Sequence, residues 1–169
     1  EDAISALGKR PRLPPSTEEY GVAVAASLAR NLLGGNRAVG LIAYGQGREA
    51  TLADRGERQL IKFLETLAVI RALGTIPLAQ VLEAEGRSLG RNTSVVVITP
   101  SDDPKWVEAL RDLRRRGIRG VGIVLDATSF GRTANIDGVI AALHQNGIRS
   151  YRIREGDALG AALTSPVGD

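Results

Sequence analysis

A chain of 169 residues with 43% hydrophobic content and only 4% aromatics is long enough for one domain whose core is built from closely packed Ala, Val, Leu and Ile. It contains no cysteine, which excludes a disulfide framework, a thiol nucleophile and a thiolate metal site and fits a reducing compartment. The formal charge of +3 (22 Lys+Arg against 19 Asp+Glu) is too small to indicate nucleic acid without a clustered patch, and no apolar run approaches the ~18–20 residues of a membrane span.

With no methionine and Glu1 at its start, the chain is expected to be a piece of a longer protein. Residues 1–15, with Pro11, Pro14 and Pro15, read as a linker or lead-in to a domain spanning 16–169. Ser16 to Glu19 reads as a capping box opening a helix that carries Val24, Leu28 and Leu32 and stops at Gly34-Gly35. Arg37 to Tyr44 is predicted as a mostly apolar, buried strand. Gly45 to Gly56 is a polar connection with room for a short edge strand around Ala50 to Ala53. A helix over Glu57 to Leu73, with Leu60, Leu64 and Leu67 in register, is closed by Gly74. Thr75 and Pro77 then open a third helix bearing Leu78, Val81, Leu82 and Leu89.

Val95 to Ile98 is an unbroken β-branched run, as suits a strand buried on both faces of a parallel sheet. It halts at Thr99-Pro100-Ser101-Asp102-Asp103, and after Pro104 an amphipathic helix begins with Trp106, Leu110 and Leu113 inward and Gly117 as its stop. Arg119 to Asp126 is a second buried strand, Ile136 to Gln145 a helix ended by Asn146-Gly147, and Ser150 to Arg154 an edge strand. Asp157 is expected to cap a last short helix. Strands alternating with helices at this spacing imply an α/β fold, three-layered and Rossmann-like, with a mainly parallel sheet and right-handed crossovers. Ligands of such sheets bind beyond the carboxyl ends of the strands, where the cluster at 99–103 falls.

Ser16-Thr17-Glu18-Glu19-Tyr20, Val24-Ala25-Ala26-Ser27-Leu28-Ala29 and Val39-Gly40-Leu41-Ile42-Ala43-Tyr44 together resemble a bacterial family catalogued as domain of unknown function 58. Its carboxy-terminal part is a von Willebrand factor A-like domain. Gly56-Glu57-Arg58-Gln59-Leu60, the Thr99-Pro100-Ser101-Asp102 turn and Leu113-Arg114-Arg115-Arg116-Gly117 extend the resemblance over most of residues 16–131. The resemblance implies a Rossmann-like sheet, a divalent-metal site (Mg²⁺ or Mn²⁺) at its top, and association with MoxR-type AAA+ ATPases. It also implies a cytoplasmic domain, in some members behind membrane helices. Of the metal site's three loops, the second matches at Thr75 and the third at Asp102 with Ser101 beside it. The first, Asp-x-Ser-x-Ser, does not occur in the chain, so the first central strand is expected to be missing. Its absence would leave a sheet edge or gap for residues 1–15 or a second copy to cover.

Each candidate also has a plain structural reading. Asp102 and Asp103 suit either a metal or phosphoryl site or the first turn of a helix, and Thr75 suits either a metal ligand or a cap. Asp126 with Thr128 and Ser129 suits either the crevice or loop capping. Arg114 to Arg116 complements a helix dipole or meets a partner. Gly45-Gln46-Gly47-Arg48-Glu49-Ala50 fits a dinucleotide fingerprint, but no helix opens within it, so its context fails. The functional expectation is a non-catalytic adaptor working with a MoxR-type ATPase. The alternatives are a Mg²⁺-dependent phosphoryl-transfer enzyme, with Asp102, Asp103 or Asp126 as acceptor, and a small-ligand or nucleotide binder.

Overall fold

The computed structural model describes residues 16–167. The lead-in read at 1–15 therefore lies outside the described residues. Three parallel strands form the main sheet: β3 (Ser94–Thr99), β4 (Arg119–Leu125) and β5 (Arg149–Ile153), with β4 in the middle. Val97 sits opposite Gly122 across β3 and β4, and Ile123 opposite Tyr151 across β4 and β5. Before them come helix α1 (Thr17–Gly34), strands β1 (Val39–Tyr44) and β2 (Arg48–Asp54), and helices α2 (Glu57–Val69) and α3 (Leu78–Gly86). The strands of the sheet are joined by α4 (Lys105–Arg115) and by α5 (Ile136–Gln145), and the short α6 (Leu159–Ala162) follows β5. An α/β body with a parallel sheet flanked by helices is what the alternating pattern predicted.

Alternation along β4 decides which helices lie on which face. Val124 belongs with Val97 of β3 in a core completed by Leu82 of α3, Trp106, Leu110 and Leu113 of α4, and Val139 and Leu143 of α5. Ile123 and Leu125 point the other way and meet Tyr20 and Val24 of α1, with Leu159 and Ala162 of α6 beside them. Trp106, Leu110 and Leu113 lie four and three residues apart, so one helical face carries them all, and each is buried. Burial of side chains this large contributes about 1.5–3 kcal/mol apiece. Glycines on β4 let α4 and α5 come this close. A Cβ at Gly120 would lie 2.7 Å from Leu110 Cδ1, and one at Gly122 would lie 3.1 Å from Leu143 Cδ1 and 3.4 Å from the Trp106 ring.

The amino-terminal half is built differently from expectation. β1 does not join the parallel sheet; it pairs antiparallel with β2 in a separate two-stranded ribbon, with Tyr44 opposite Arg48. The polar stretch after Tyr44 is a hairpin: Gly45 N–H donates to the Gly47 carbonyl, and the second strand runs the full length of Arg48–Asp54. Only one face of β1 is covered, by Val39 and Leu41 packing with Ala25, Ala29 and Leu33 of α1 and Phe63 and Leu67 of α2. Ile42, on the other face, stays 40% exposed, so the strand is half-buried rather than buried. The ribbon is tied to α2 by the buried Gln59 amide, which donates to the carbonyls of Val39 (2.6 Å) and Leu52 (2.7 Å).

Several boundaries also differ. α2 ends at Val69 because Ile70 turns extended, and Gly74 lies beyond it in a connection pressed against the Tyr44 carbonyl. Its buried face is Gln59, Phe63 and Leu67, which leaves Leu64 exposed. α3 starts after Pro77 with no side-chain cap, so Thr75 does not cap it. Ser16 does cap α1, its hydroxyl accepting from Glu19 N–H at 3.1 Å. Asp157 caps no helix: its carboxylate accepts from Arg154 N–H, and α6 opens on Ala158.

The tight approach at β4 has a measurable consequence. Gly122→Val is expected to destabilise the protein by about 1–3 kcal/mol in urea unfolding, because the added branches overpack Leu143 and Trp106. Gly47→Ala, where an added Cβ meets nothing within 4 Å, should change stability by no more than about 0.5 kcal/mol.

Candidate functional site

The carboxyl ends of the strands gather around the first turn of α1. Gly21 lies against Leu125 and Ile98, at the ends of β4 and β3. Tyr20 hydroxyl accepts from Gly156 N–H beyond β5 at 2.7 Å, and its ring meets Phe130 edge-on at 4.9 Å. One residue pair along, Glu18 accepts from Ala72 N–H at 2.7 Å, which brings in the connection that rests on Tyr44 and Gly45 at the end of β1. One helix terminus thus organises a continuous rim.

On this rim the 99–104 turn is held by its own side chains. Thr99 hydroxyl accepts from Ser101 N–H (3.1 Å), Ser101 hydroxyl from Asp103 N–H (3.3 Å), and Asp103 carboxylate from Lys105 N–H (3.0 Å). Trp106 indole N–H donates to the Ser101 carbonyl at 3.2 Å, fastening the turn to the core. Each small polar residue satisfies a backbone donor that the end of a strand or the start of a helix leaves free. Asp102 is exposed, and its Oδ2 accepts from Asn135 N–H at 2.9 Å, which links the β3 turn to the start of α5.

Asp126 is the buried charge of the rim, its side chain 3% exposed. Its Oδ1 accepts from the Thr128 N–H and hydroxyl, the loop-capping role that its place before Thr128 and Ser129 suggests. Its Oδ2 accepts from Arg152 Nε at 2.9 Å and Nη2 at 2.8 Å, and from Arg154 Nε at 3.4 Å. Arg152 reaches on to Asp137 of α5 at 2.7 Å. Burial alone would push the Asp126 carboxyl up, but the Thr128 and Arg152 hydrogen bonds and the Arg152 charge outweigh it and hold the group below the usual carboxylate range. The alternation of β5 drew attention to an edge strand; that its two arginines neutralise a buried carboxylate two elements earlier was not visible in it.

A second polar cluster went unnoticed in the sequence. Glu85 of α3 accepts from Tyr44 hydroxyl (2.6 Å) and from Arg48 Nε (2.6 Å) and Nη2 (2.9 Å), a bidentate pair that ties the ribbon to α3. The Arg48 hydrogen bonds, then that of Tyr44, push the Glu85 carboxyl down to about 2.

Of the residues matched to a metal loop, Ser101 and Asp102 share one turn. Thr75 lies exposed beyond Gly74 in the connection at the β1 end of the rim, and no hydrogen bond joins it to the other two. The three offer a single carboxylate, one oxygen of which is engaged by Asn135, whereas Mg²⁺ or Mn²⁺ calls for several oxygen donors. Among the described residues no group of three or more His, Cys, Asp or Glu is placed to hold a metal ion. On this donor set the described residues do not fit a resident divalent cation.

Two predictions separate the polar ties. Asp126→Ala leaves the mostly buried Arg152 guanidinium with only the exposed Asp137 as its partner and is expected to cost about 3 kcal/mol in urea unfolding, the low end for a broken buried pair because that second partner remains. For Glu85 the folded pKa lies below the unfolded value of about 4.3, so its stabilisation is present above that pH and is lost as pH falls towards 2. Glu85→Gln should flatten the decline of melting temperature between about pH 4.5 and 2; an unchanged slope would remove the tie.

No family model matches the chain, and no curated protein matches it significantly.

Proposed function

We infer that the chain is a non-catalytic protein-interaction domain, von Willebrand factor A-like, whose docking surface is the rim at the carboxyl ends of the strands. The observation that carries this reading is the state of the rim's polar groups. Ser101, Asp103 and Asp126 are spent on holding turns, and Asp102 spans two loops, so the rim is pre-shaped while the outer faces of Asp102, Asp103 and Asp137 stay open to solvent. A surface whose loops are already ordered loses little conformational entropy on binding a partner. The partner that the sequence resemblance implies is a MoxR-type AAA+ ATPase, in a bacterial cytoplasm.

Phosphoryl transfer is the weaker reading. An acceptor aspartate needs a free carboxylate and a cation for the phosphoryl oxygens, and Asp126 is instead neutralised by Arg152 and Arg154. For the membrane, no helix among the described residues is long and apolar enough to cross one.

The test is affinity for a MoxR-type AAA+ ATPase, measured by calorimetry or pull-down. Asp103→Lys on the rim is expected to weaken binding about tenfold or more, the usual scale for a reversed interface charge. Arg37→Ala, at the opposite end of the body just before β1, should leave it unchanged. Equal loss from both variants, or no complex at micromolar concentration, would overturn the assignment.

A further inference from the structure

The formal charge of +3 conceals a segregation of charge between the two ends of the parallel sheet. At the amino ends of its strands, the stretches 87–94, 114–119 and 144–149 lead into β3, β4 and β5. They contain seven arginines and no aspartate or glutamate. The turns at the carboxyl ends, 99–104, 126–135 and 154–158, carry five acids against two arginines. The nearly balanced total thus hides a clustered basic patch, the feature that an argument for nucleic acid needs.

Contacts between the three stretches bring these side chains onto one surface. A Cβ at Gly117, which follows α4, would meet the Arg91 side chain at 3.5 Å. One at Gly147, which follows α5, would lie 3.4 Å from Arg114 Nη1, and that guanidinium donates to the Asn146 carbonyl. Arg119 N–H donates to the Thr93 carbonyl, so the approaches to β3 and β4 lie side by side, and Arg149 opens β5 opposite Val121 of β4. All seven arginines are exposed. Arg115 shares Asp112 with Arg111, but Arg87, Arg91, Arg114, Arg116, Arg119 and Arg149 make no ion pair among the described residues. Like charges gathered without counter-charges repel one another, a cost that a bound polyanion removes.

We propose that this end of the sheet binds double-stranded nucleic acid through its phosphates, without reading base sequence. Unpaired guanidinium groups spread over three stretches suit a row of phosphates rather than one anion, and a duplex supplies one charge per about 1.7 Å of its axis. Every cation in the patch is arginine, whose planar fork donates to two phosphate oxygens at once. The three stretches hold no aromatic residue, so nothing there stacks on unpaired bases as single-strand binding requires. Their apolar residues Ile118 and Ile148 are buried and Leu89 is half-buried, which leaves no side chain to enter a bilayer.

Neutralising helix dipoles accounts for only part of the patch. Arg87, Arg114 and Arg116 lie at the carboxyl ends of α3 and α4, where cations are favourable without any ligand. Arg91, Arg119 and Arg149 belong to no helix, and no acid in the three stretches answers them. The patch and the rim lie at opposite ends of the strands, so one chain can hold nucleic acid at one end and a protein at the other. The inference rests on the placement of charge and stands whether or not the rim binds an ATPase.

The test is fluorescence anisotropy of a labelled, mixed-sequence DNA duplex titrated with the full chain over a series of salt concentrations. Each phosphate contact adds about −0.9 to the slope of log K against log salt, so about four to six contacts give about −3.6 to −5.4. Unlabelled duplexes of different sequence compete equally. The double variant Arg116→Ala/Arg119→Ala is expected to weaken binding about tenfold or more at low salt and to flatten the slope by about 1.8. Both arginines are exposed and unpaired, so its melting temperature stays that of the parent. Arg132→Ala, on the rim, leaves affinity and slope unchanged. No binding at about 100 µM chain in low salt, a slope shallower than about −1, or equal loss from Arg132→Ala would overturn the proposal. Co-sedimentation with phosphatidylglycerol-containing vesicles in the absence of duplex binding would give the patch to a lipid surface and overturn the ligand named here.

Discussion

The structure depends on one alanine-rich helix packing across two separate β-structures. Val24 and Ala29 of α1 are almost completely buried, the first against the parallel sheet and the second against the ribbon. Alanine contributes little transfer free energy of its own, but its small size lets the helix axis approach a sheet closely enough for dispersion contacts to accumulate. No backbone hydrogen bond ties β1 to β3 among the described residues, so α1 from one side and α3 from the other are what keep the halves together. The same helix start, through Glu18, Tyr20 and Gly21, gathers the strand ends into a rim. Fold and candidate site therefore share a cause.

Electrostatic ties add to that packing unequally. Asp126 is enclosed, so its attraction to Arg152 acts in a poorly screened setting, and removal of either partner leaves the other only its weaker contacts, Asp137 for Arg152 and Arg154 for Asp126. Glu85 lies nearer the surface and its partner Arg48 is half-exposed, where water and salt weaken such pairs. Its geometry matters more than its energy: a bidentate contact with Tyr44 alongside sets the position of α3 relative to the ribbon. The body is stabilised chiefly from the parallel sheet outward, and the ribbon is positioned on it.

How much of this could be read in advance follows from the range of the forces involved. Val95 to Ile98 and Arg119 to Asp126 were legible as parallel strands because apolar runs between helical patterns have few other uses, although Val96 stays 40% exposed where burial on both faces was expected, and α4 was legible from Trp106, Leu110 and Leu113. Val39 to Tyr44 misled because an apolar run looks alike in a central strand and in a hairpin strand covered on one face. Only the pairing with Arg48–Asp54 distinguishes them. The local chemistry of the rim was visible where its bonds span two residues, as at Asp103 and at Asp126 with Thr128. Contacts between residues 26 or 28 apart, such as Asp126 with Arg152 and Arg154, leave no local pattern. Leu64 was placed inward by a leucine register, but the ribbon lies on the side of Phe63 and Gln59, and the wider aromatic took the buried face.

These internal bonds also narrow what the rim can do. The Asp126 carboxylate, which accepts from Thr128 and from two arginines, could take up a cation or a phosphoryl group only by giving up contacts that hold its own loop. Asp102, Asp103 and Asp137 differ from it, because each ties one carboxylate oxygen within the protein while its side chain stays exposed. The bonds that shape this rim therefore use only part of each exposed carboxylate, so the turns are held without closing the rim's outer surface.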